Sequence, residues 1–243
     1  PSYQRGPSVR EPSQSSPRSP CHPAGAIAWA VAVALQSAAA GAQTATETLA
    51  PVVVTGPRTE SRAFDLPMSV DTITRSDIQD GKARVNISED LNRVPGTFVQ
   101  NRENFAQELQ ITIRGFGARS QFGTRGIKLI VDGLPASTPD GQGNPGAFDL
   151  GSADRIEVLR GPFSALYGNA AGGVIAVDTA DGPTAPTVAA GLYAGSYDTW
   201  KAAVGFGGQF GRLNAVGDLS RFDTEGYREH SAATRDQLNA KFK

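Results

Sequence analysis

Beyond Pro183 the chain is written in strand-length runs of alternating character, and that alternation narrows its possible folds more than any other feature. Trp200, Ala202, Val204 and Phe206 fall on one face of an extended segment. Leu238, Ala240 and Phe242 repeat the pattern, set against Gln237, Asn239, Lys241 and Lys243 on the opposite face. Successive side chains of a strand point to opposite faces, so a period of two marks half-buried β-structure and not helix. Residues 187–195, 199–206, 213–221 and 237–243 are four strand-length runs separated by turn residues, and the second and fourth alternate cleanly. A soluble antiparallel sheet and an outer-membrane barrel look alike over one hairpin. The barrel form uses segments of about 10 residues, apolar toward lipid and polar toward the lumen. The fourth run reaches the last residue, so the sheet stops mid-pattern and is expected to need further strands.

The other end of the chain is unlike this. Residues 1–23 are rich in Ser and Pro and carry Arg5, Arg10 and Arg18, with Glu11 as the only acid. The apolar run AGAIAWAVAVAL follows at 24–35, then small residues ending Ala40-Gly41-Ala42. A basic region, a short apolar stretch and an A-x-A site describe a secretory signal peptide. A transmembrane helix would need about 20 apolar residues, more than this run supplies. Removal of residues 1–42 takes three Arg and one Glu from the 23 basic and 24 acidic side chains, for a net charge of −3. It also takes Cys21 and His22, which leaves His230 as the one histidine and no cysteine. A disulfide framework and a Cys/His metal site are thereby excluded from the remainder. The balanced charge gives no basic surface for nucleic acid.

Residues 43–48 are small and polar, without periodicity. Leu49, Ala50, Pro51, Val52, Val53 and Val54 follow, a short β-prone run ended by Gly56-Pro57. Such a segment is either an extended peptide suited to a partner's sheet edge or the first strand of the next domain. From 64 to 179 strands alternate with short helices. Strands are expected at 69–74, 97–100, 109–113, 128–131, 156–159 and 174–178. Ser76 or Asp77 suits the cap of one helical turn, and Asn86 or Ser88 that of another over 89–94, stopped by Pro95-Gly96. Gly161-Pro162 is expected to open a third, with Pro at the first helical position and Gly168 at its end. Asp132-Gly133 is a turn signal. The Gly-rich stretches 115–126 and 136–146 read as loops.

The stretch from Glu157 to Gly168 (EVLRGPFSALYG), followed by Ala171-Gly172-Gly173-Val174-Ile175, closely resembles the plug signature of TonB-dependent outer-membrane receptors. Residues 49–55 resemble the TonB box and 66–70 (LPMSV) the first plug strand. Residues 111–116 (ITIRGF) and 129–133 (LIVDG) resemble the two central plug strands, all in the family's order. The resemblance implies an α+β plug, a mixed β-sheet with short helices, followed by the start of a transmembrane antiparallel barrel of about 22 strands. The implied organisation is 1–42 signal peptide and upstream segment, 43–60 flexible terminus with TonB box, 61–182 plug, and 183–243 first barrel strands.

The resemblance further implies active import of a scarce extracellular nutrient, most often a ferric siderophore, with TonB as periplasmic partner and no cofactor of its own. Leu49 to Val54 would be the TonB-binding strand. Arg114 and Arg160 match plug arginines that reach acidic residues on the barrel wall, with partners expected beyond Lys243; read from the residues alone, they are exposed strand-end arginines. Arg119, Gln121 and Phe122 would meet ligand at the plug apex, or stand as ordinary surface-loop residues. Enzyme readings find little support. A Ser-His-Asp triad would have to use His230, in a barrel-type segment, and no G-x-G-x-x-G lies between a strand and a helix. A passive porin or a surface adhesin is the remaining alternative, and neither has a use for a plug and a TonB box. A signalling receptor would need a folded domain where only residues 43–48 stand.

Overall fold

The computed structural model describes residues 53–54, 61–62, 67–101, 104–105, 108–120 and 123–243. The expected signal peptide, Leu49 to Val52, Leu66, Gln121 and Phe122 lie outside them. Near the start, β1 (Val53–Val54) pairs antiparallel with β2 (Ser61–Arg62), placing Val53 opposite Arg62 and Val54 opposite Ser61.

A five-stranded mixed sheet forms the centre of the first half. Its members are β3 (Ser69–Thr74), β6 (Ile127–Val131), β7 (Leu134–Pro135), β8 (Ala153–Arg160) and β9 (Gly173–Thr179), in spatial order β3-β8-β9-β6-β7. Only β6 and β9 run parallel. Separately, β4 (Thr97–Gln100) and β5 (Gln110–Ile113) make an antiparallel hairpin. β8 is twice the length expected from its apolar residues, because it pairs with β3 on one edge and β9 on the other. Asp132 and Gly133 take φ of 47° and 78°, the left-handed pair of a type I′ turn, and fold β7 back on β6. The Asp132 carboxylate then accepts from Thr179 N–H (2.8 Å) and hydroxyl (2.7 Å), which ties the turn to the end of β9.

Among the described residues, three short α-helices decorate this sheet. For α1 (Arg75–Gln79), the Asp77 carboxylate accepts from the Thr74 hydroxyl (2.7 Å) and N–H (3.3 Å), so Thr74 is the cap and the helix starts one residue before Ser76. For α2 (Ser88–Leu91), neither Asn86 nor Ser88 caps; Ile87 stands at that position. Glu89 reaches back instead and accepts from the N–H groups of Arg84, Val85 and Asn86. α3 (Ser164–Tyr167) begins two residues later than Pro162 suggested. Gly161 N–H and Phe163 N–H bond the carbonyls of Gly172 and Ala170, which holds 161–163 in an extended ladder before the helix turns. Gly168, at φ 75°, ends it.

The core lies between the sheet, the β4–β5 hairpin and the helices. Ile78, Leu91, Ile113, Leu129, Ile156, Val158 and Ile175 are all fully buried in it. Each such aliphatic side chain contributes about 1.5–3 kcal/mol by leaving water.

The second half is a four-stranded antiparallel meander: β10 (Thr187–Ala194), β11 (Trp200–Phe210), β12 (Leu213–Thr224) and β13 (Ala233–Phe242). β11 to β13 have 11, 12 and 10 residues. A tilted strand needs about 9–11 to cross a bilayer. No helix among the described residues is long and apolar enough to cross a membrane.

Candidate functional site

The meander's two faces differ in character. Outward stand Val188, Leu192, Trp200, Val204, Phe206, Leu219, Leu238 and Phe242, all exposed. The inward face carries most of the meander's buried polar residues beside buried Ala203, Val216 and Phe222, and rests on the first half. On β13, Arg235 donates to the carbonyls of Val85 (3.0 Å) and Gly146 (2.7 Å). Gln237 donates to Phe148 O, Asn239 to the Ser152 hydroxyl and Lys241 to Thr179 O. Every second residue of one strand thus grips the inner domain along its height. Lys201 on β11 adds a bond to Arg84 O, and Asn214 on β12 exchanges two with Gly182. Most acceptors are backbone carbonyls, so no sequence motif could have announced this seam.

Arg160 leaves the end of β8 and meets Asp71 on β3 at 2.5 Å and the Pro95 carbonyl at 2.7 Å. Its acidic partner within this chain is therefore a neighbour in the sheet. Its buried Nε has no acceptor among the described residues. Arg114 is exposed, at φ 50°, with its N–H bonded to Gly96 O. A Cβ on Gly96 would stand 3.7 Å from Arg114 Cγ and 4.0 Å from Arg160 Nη1, so the two arginines straddle that glycine.

Arg119 lines an open cleft of about 800 Å³ with Phe116, Ser120, Arg125 and Gln142. Arg125 is held by Asp140 (2.9 Å), whose carboxyl is kept below its usual range by the Thr138 hydroxyl first and the Gln142 N–H second. Phe116, Arg125 and Gln142 were not singled out from the sequence. They join Arg119 only because Gly117 lets the loop pass closely over β5, where a Cβ would come within 2.4 Å of Ile111 O. No three His, Cys, Asp or Glu side chains among the described residues are placed to hold a metal ion.

An inner mixed sheet bonded to one face of an open four-stranded meander is the arrangement of a plug against part of a barrel wall. Residues 62–174 match the family model of the TonB-dependent Receptor Plug Domain. Over 181 residues the chain is 30% identical to a hemin receptor of Yersinia enterocolitica, covering 71% of this chain and 25% of that protein. It is 30% identical over 146 residues to the vitamin B12 transporter BtuB of Vibrio vulnificus, covering 60% and 23%. Among solved structures, the ferripyoverdine receptor of the outer membrane of Pseudomonas aeruginosa superposes with a TM-score of 0.63 at 19% identity, covering 78% of this chain and 25% of that one. The ferric yersiniabactin uptake receptor FyuA of Yersinia pestis gives 0.60 at 21%, covering 72% and 28%.

The chain belongs to the TonB-dependent receptors, a family of transport receptors and not of enzymes. It spans about a quarter of the length of these relatives.

Proposed function

We propose that this chain is the plug and first wall strands of an outer-membrane receptor that imports a scarce nutrient, a ferric chelate, with work delivered through TonB. The observation that carries this is the β13 row of Arg235, Gln237, Asn239 and Lys241 bonded to the inner domain. A domain seated on the lumen face obstructs the pore, so passage requires displacing it. The ligand class follows the relatives, which take hemin, ferripyoverdine and ferric yersiniabactin. Arg119, Phe116 and Gln142 in the apical cleft suit a chelate that supplies its own metal ligands. Gln121 and Phe122, which lie outside the described residues, are proposed as further ligand contacts. The unused Nε of Arg160 and the exposed Arg114 have capacity for an acidic wall partner.

Leu49, Ala50, Pro51, Val52, Val53 and Val54 are proposed as the TonB-binding strand, added to the partner's sheet through backbone hydrogen bonds. Val53 and Val54 are already paired with Arg62 and Ser61, so capture requires that ladder to open. The Val53→Pro variant removes a backbone donor. It is expected to abolish energised uptake while equilibrium ligand binding at the cell surface stays unchanged. Wild-type uptake in that variant would remove the assignment.

A further inference from the structure

The inward face of β10 and β11 is built of small residues where it passes α1: Ala189, Gly191, Ala203, Gly205 and Gly207. They leave a cavity of about 210 Å³ between wall and plug, bounded at one end by Asp181 and Pro183 of the linker after β9. Asn214 pins that linker through two bonds with Gly182, both 2.8 Å.

Two opposite charges line this cavity, each with an unpartnered buried atom. Asp218 on β12 is 4% exposed, and its buried Oδ1 has no hydrogen-bond partner among the described residues. The buried Nε of Arg84, in the loop after α1, is in the same condition. Gln79 aims the arginine. Its Oε1 accepts from Arg84 Nη1, and its Nε2 donates to the carbonyls of Leu150 (2.9 Å) and Gly151 (3.2 Å). The Asp218 carboxylate faces that same Gly151, where a Cβ would come within 2.4 Å of it. On the wall, a Cβ on Gly191 would stand 3.4 Å from Arg84 Nη2, and one on Gly205 3.5 Å from Asp218 Oδ2. These glycines are diagonal neighbours across the β10–β11 ladder, about 7–8 Å apart, and the two charged ends are spaced on that order.

We infer that this cavity binds a small zwitterion of the α-amino acid class, its carboxylate on Arg84 and its ammonium on Asp218. A buried charged group left without a partner is costly, and here one group lacks an acceptor while the other lacks a donor. Water satisfies either atom singly. Two charge-assisted bonds of about 2.7–2.9 Å, with an amino acid between them, close the whole gap. The charges around the cavity, Arg75 and Arg84 against Asp181 and Asp218, cancel, which suits a ligand of no net charge. Size limits it further. A cavity of about 150 Å³ holds the six heavy atoms of benzene, so about 210 Å³ takes an amino acid as small as alanine and no large side chain.

The linker residues place the cavity at the end of the meander where β11 and β12 join through Gly211-Arg212 alone, whereas the other end carries the loops 195–199 and 225–232. Barrels keep their short turns in the periplasm, so the site lies in the periplasmic half of the lumen. It shares no lining residue with the cleft around Arg119. It goes beyond the uptake reading, since it needs neither that cleft nor a TonB box.

The test is equilibrium dialysis of radiolabelled L-alanine against the purified full-length receptor in lipid nanodiscs. Saturable binding is expected, undisturbed by L-lactate, which lacks the ammonium, or by ethylamine, which lacks the carboxylate. Asp218→Asn keeps the shape without the charge, and Arg84→Met keeps the stem without the guanidinium. Each is expected to weaken binding at least about tenfold, the loss of one charge-assisted bond. Gly205→Val fills the space beside Asp218 with both charges in place and should do the same, while Leu238→Ala on the outer face leaves binding unchanged. Heat-modifiable migration on a gel checks that every variant has inserted. No saturable alanine binding, displacement by lactate as strong as by alanine, or wild-type binding in Asp218→Asn overturns the site.

Discussion

The inner mixed sheet and the outer meander are built from similar aliphatic residues placed against opposite solvents. Ile156, Val158, Leu159, Val174 and Ile175 of the plug are fully buried, whereas Leu192, Leu238 and Phe242 of the meander are 80%, 72% and 65% exposed. In the plug, charge is confined and paired, as where Arg155 bridges the buried Glu157 and Asp178 at 3.0 Å each. In the meander, Arg235, Gln237, Asn239 and Lys241 face inward and bond the plug, while Arg221 and Asp236 form an exposed ion pair on the outward face. One region is a soluble core, and the other is turned inside out with a lipid-facing exterior. A hydrophobic residue therefore has a different worth in each half.

The largest expected effect exploits that difference. Leu129→Ala empties a fully buried site and should cost about 2–5 kcal/mol of plug stability. Leu238→Ala should cost far less, yet Leu238→Arg should cost about 2–4 kcal/mol if placed near the bilayer midplane. Plug stability is read by hydrogen exchange of its amides, and the wall by urea titration of folded barrel in vesicles. Equal costs for both Leu→Ala variants would dissolve the contrast.

Next comes the buried ion pair. Asp90 is wholly inaccessible and its carboxylate is met by Lys82. Burial, more than Lys82 offsets it, pushes the Asp90 carboxyl above its usual range. Lys82→Met strands that charge and should cost about 3 kcal/mol near neutral pH. A group whose pKa is raised by folding favours the native state more as pH falls. The loss in Lys82→Met should therefore shrink as the medium is acidified through the folded pKa of Asp90 toward its unfolded value. Exchange rates at Ser88–Leu91 followed against pH check this, and a penalty that grows on acidification would contradict it.

The smallest effect is at the plug edge. Asp77 is held below the usual carboxylate range by the Thr74 hydroxyl first and Arg93 second. Its contribution is present above the unfolded pKa and fades as pH drops through the lowered one. Thr74→Ala should cost about 1 kcal/mol at neutral pH, seen as faster exchange in Arg75–Gln79 alone.

The same contrast explains what could be read from sequence. The strand at 69–74 was legible because apolar alternation is local, and those within 97–100 and 187–195 because turn residues bound them. The lipid-facing row of Leu238, Ala240 and Phe242 was legible from local alternation too. The start of α3 was misplaced because a backbone ladder to Ala170 and Gly172 overrides the preference of Pro162. The Arg160–Asp71 pair joins residues far apart in sequence through strand register, which no spacing encodes.

The account rests on β13 presenting lipid on one side and plug on the other. Cys21 is the only cysteine in the sequence and lies within the expected signal peptide, so single cysteines can be placed from Gln237 to Phe242 and spin-labelled in vesicles. Labels at 238, 240 and 242 should be relaxed by oxygen dissolved in lipid. Labels at 237, 239 and 241 should be immobilised and shielded from both oxygen and a water-soluble nickel chelate. An absence of that two-residue alternation, with both rows equally open to the chelate, would contradict the central claim.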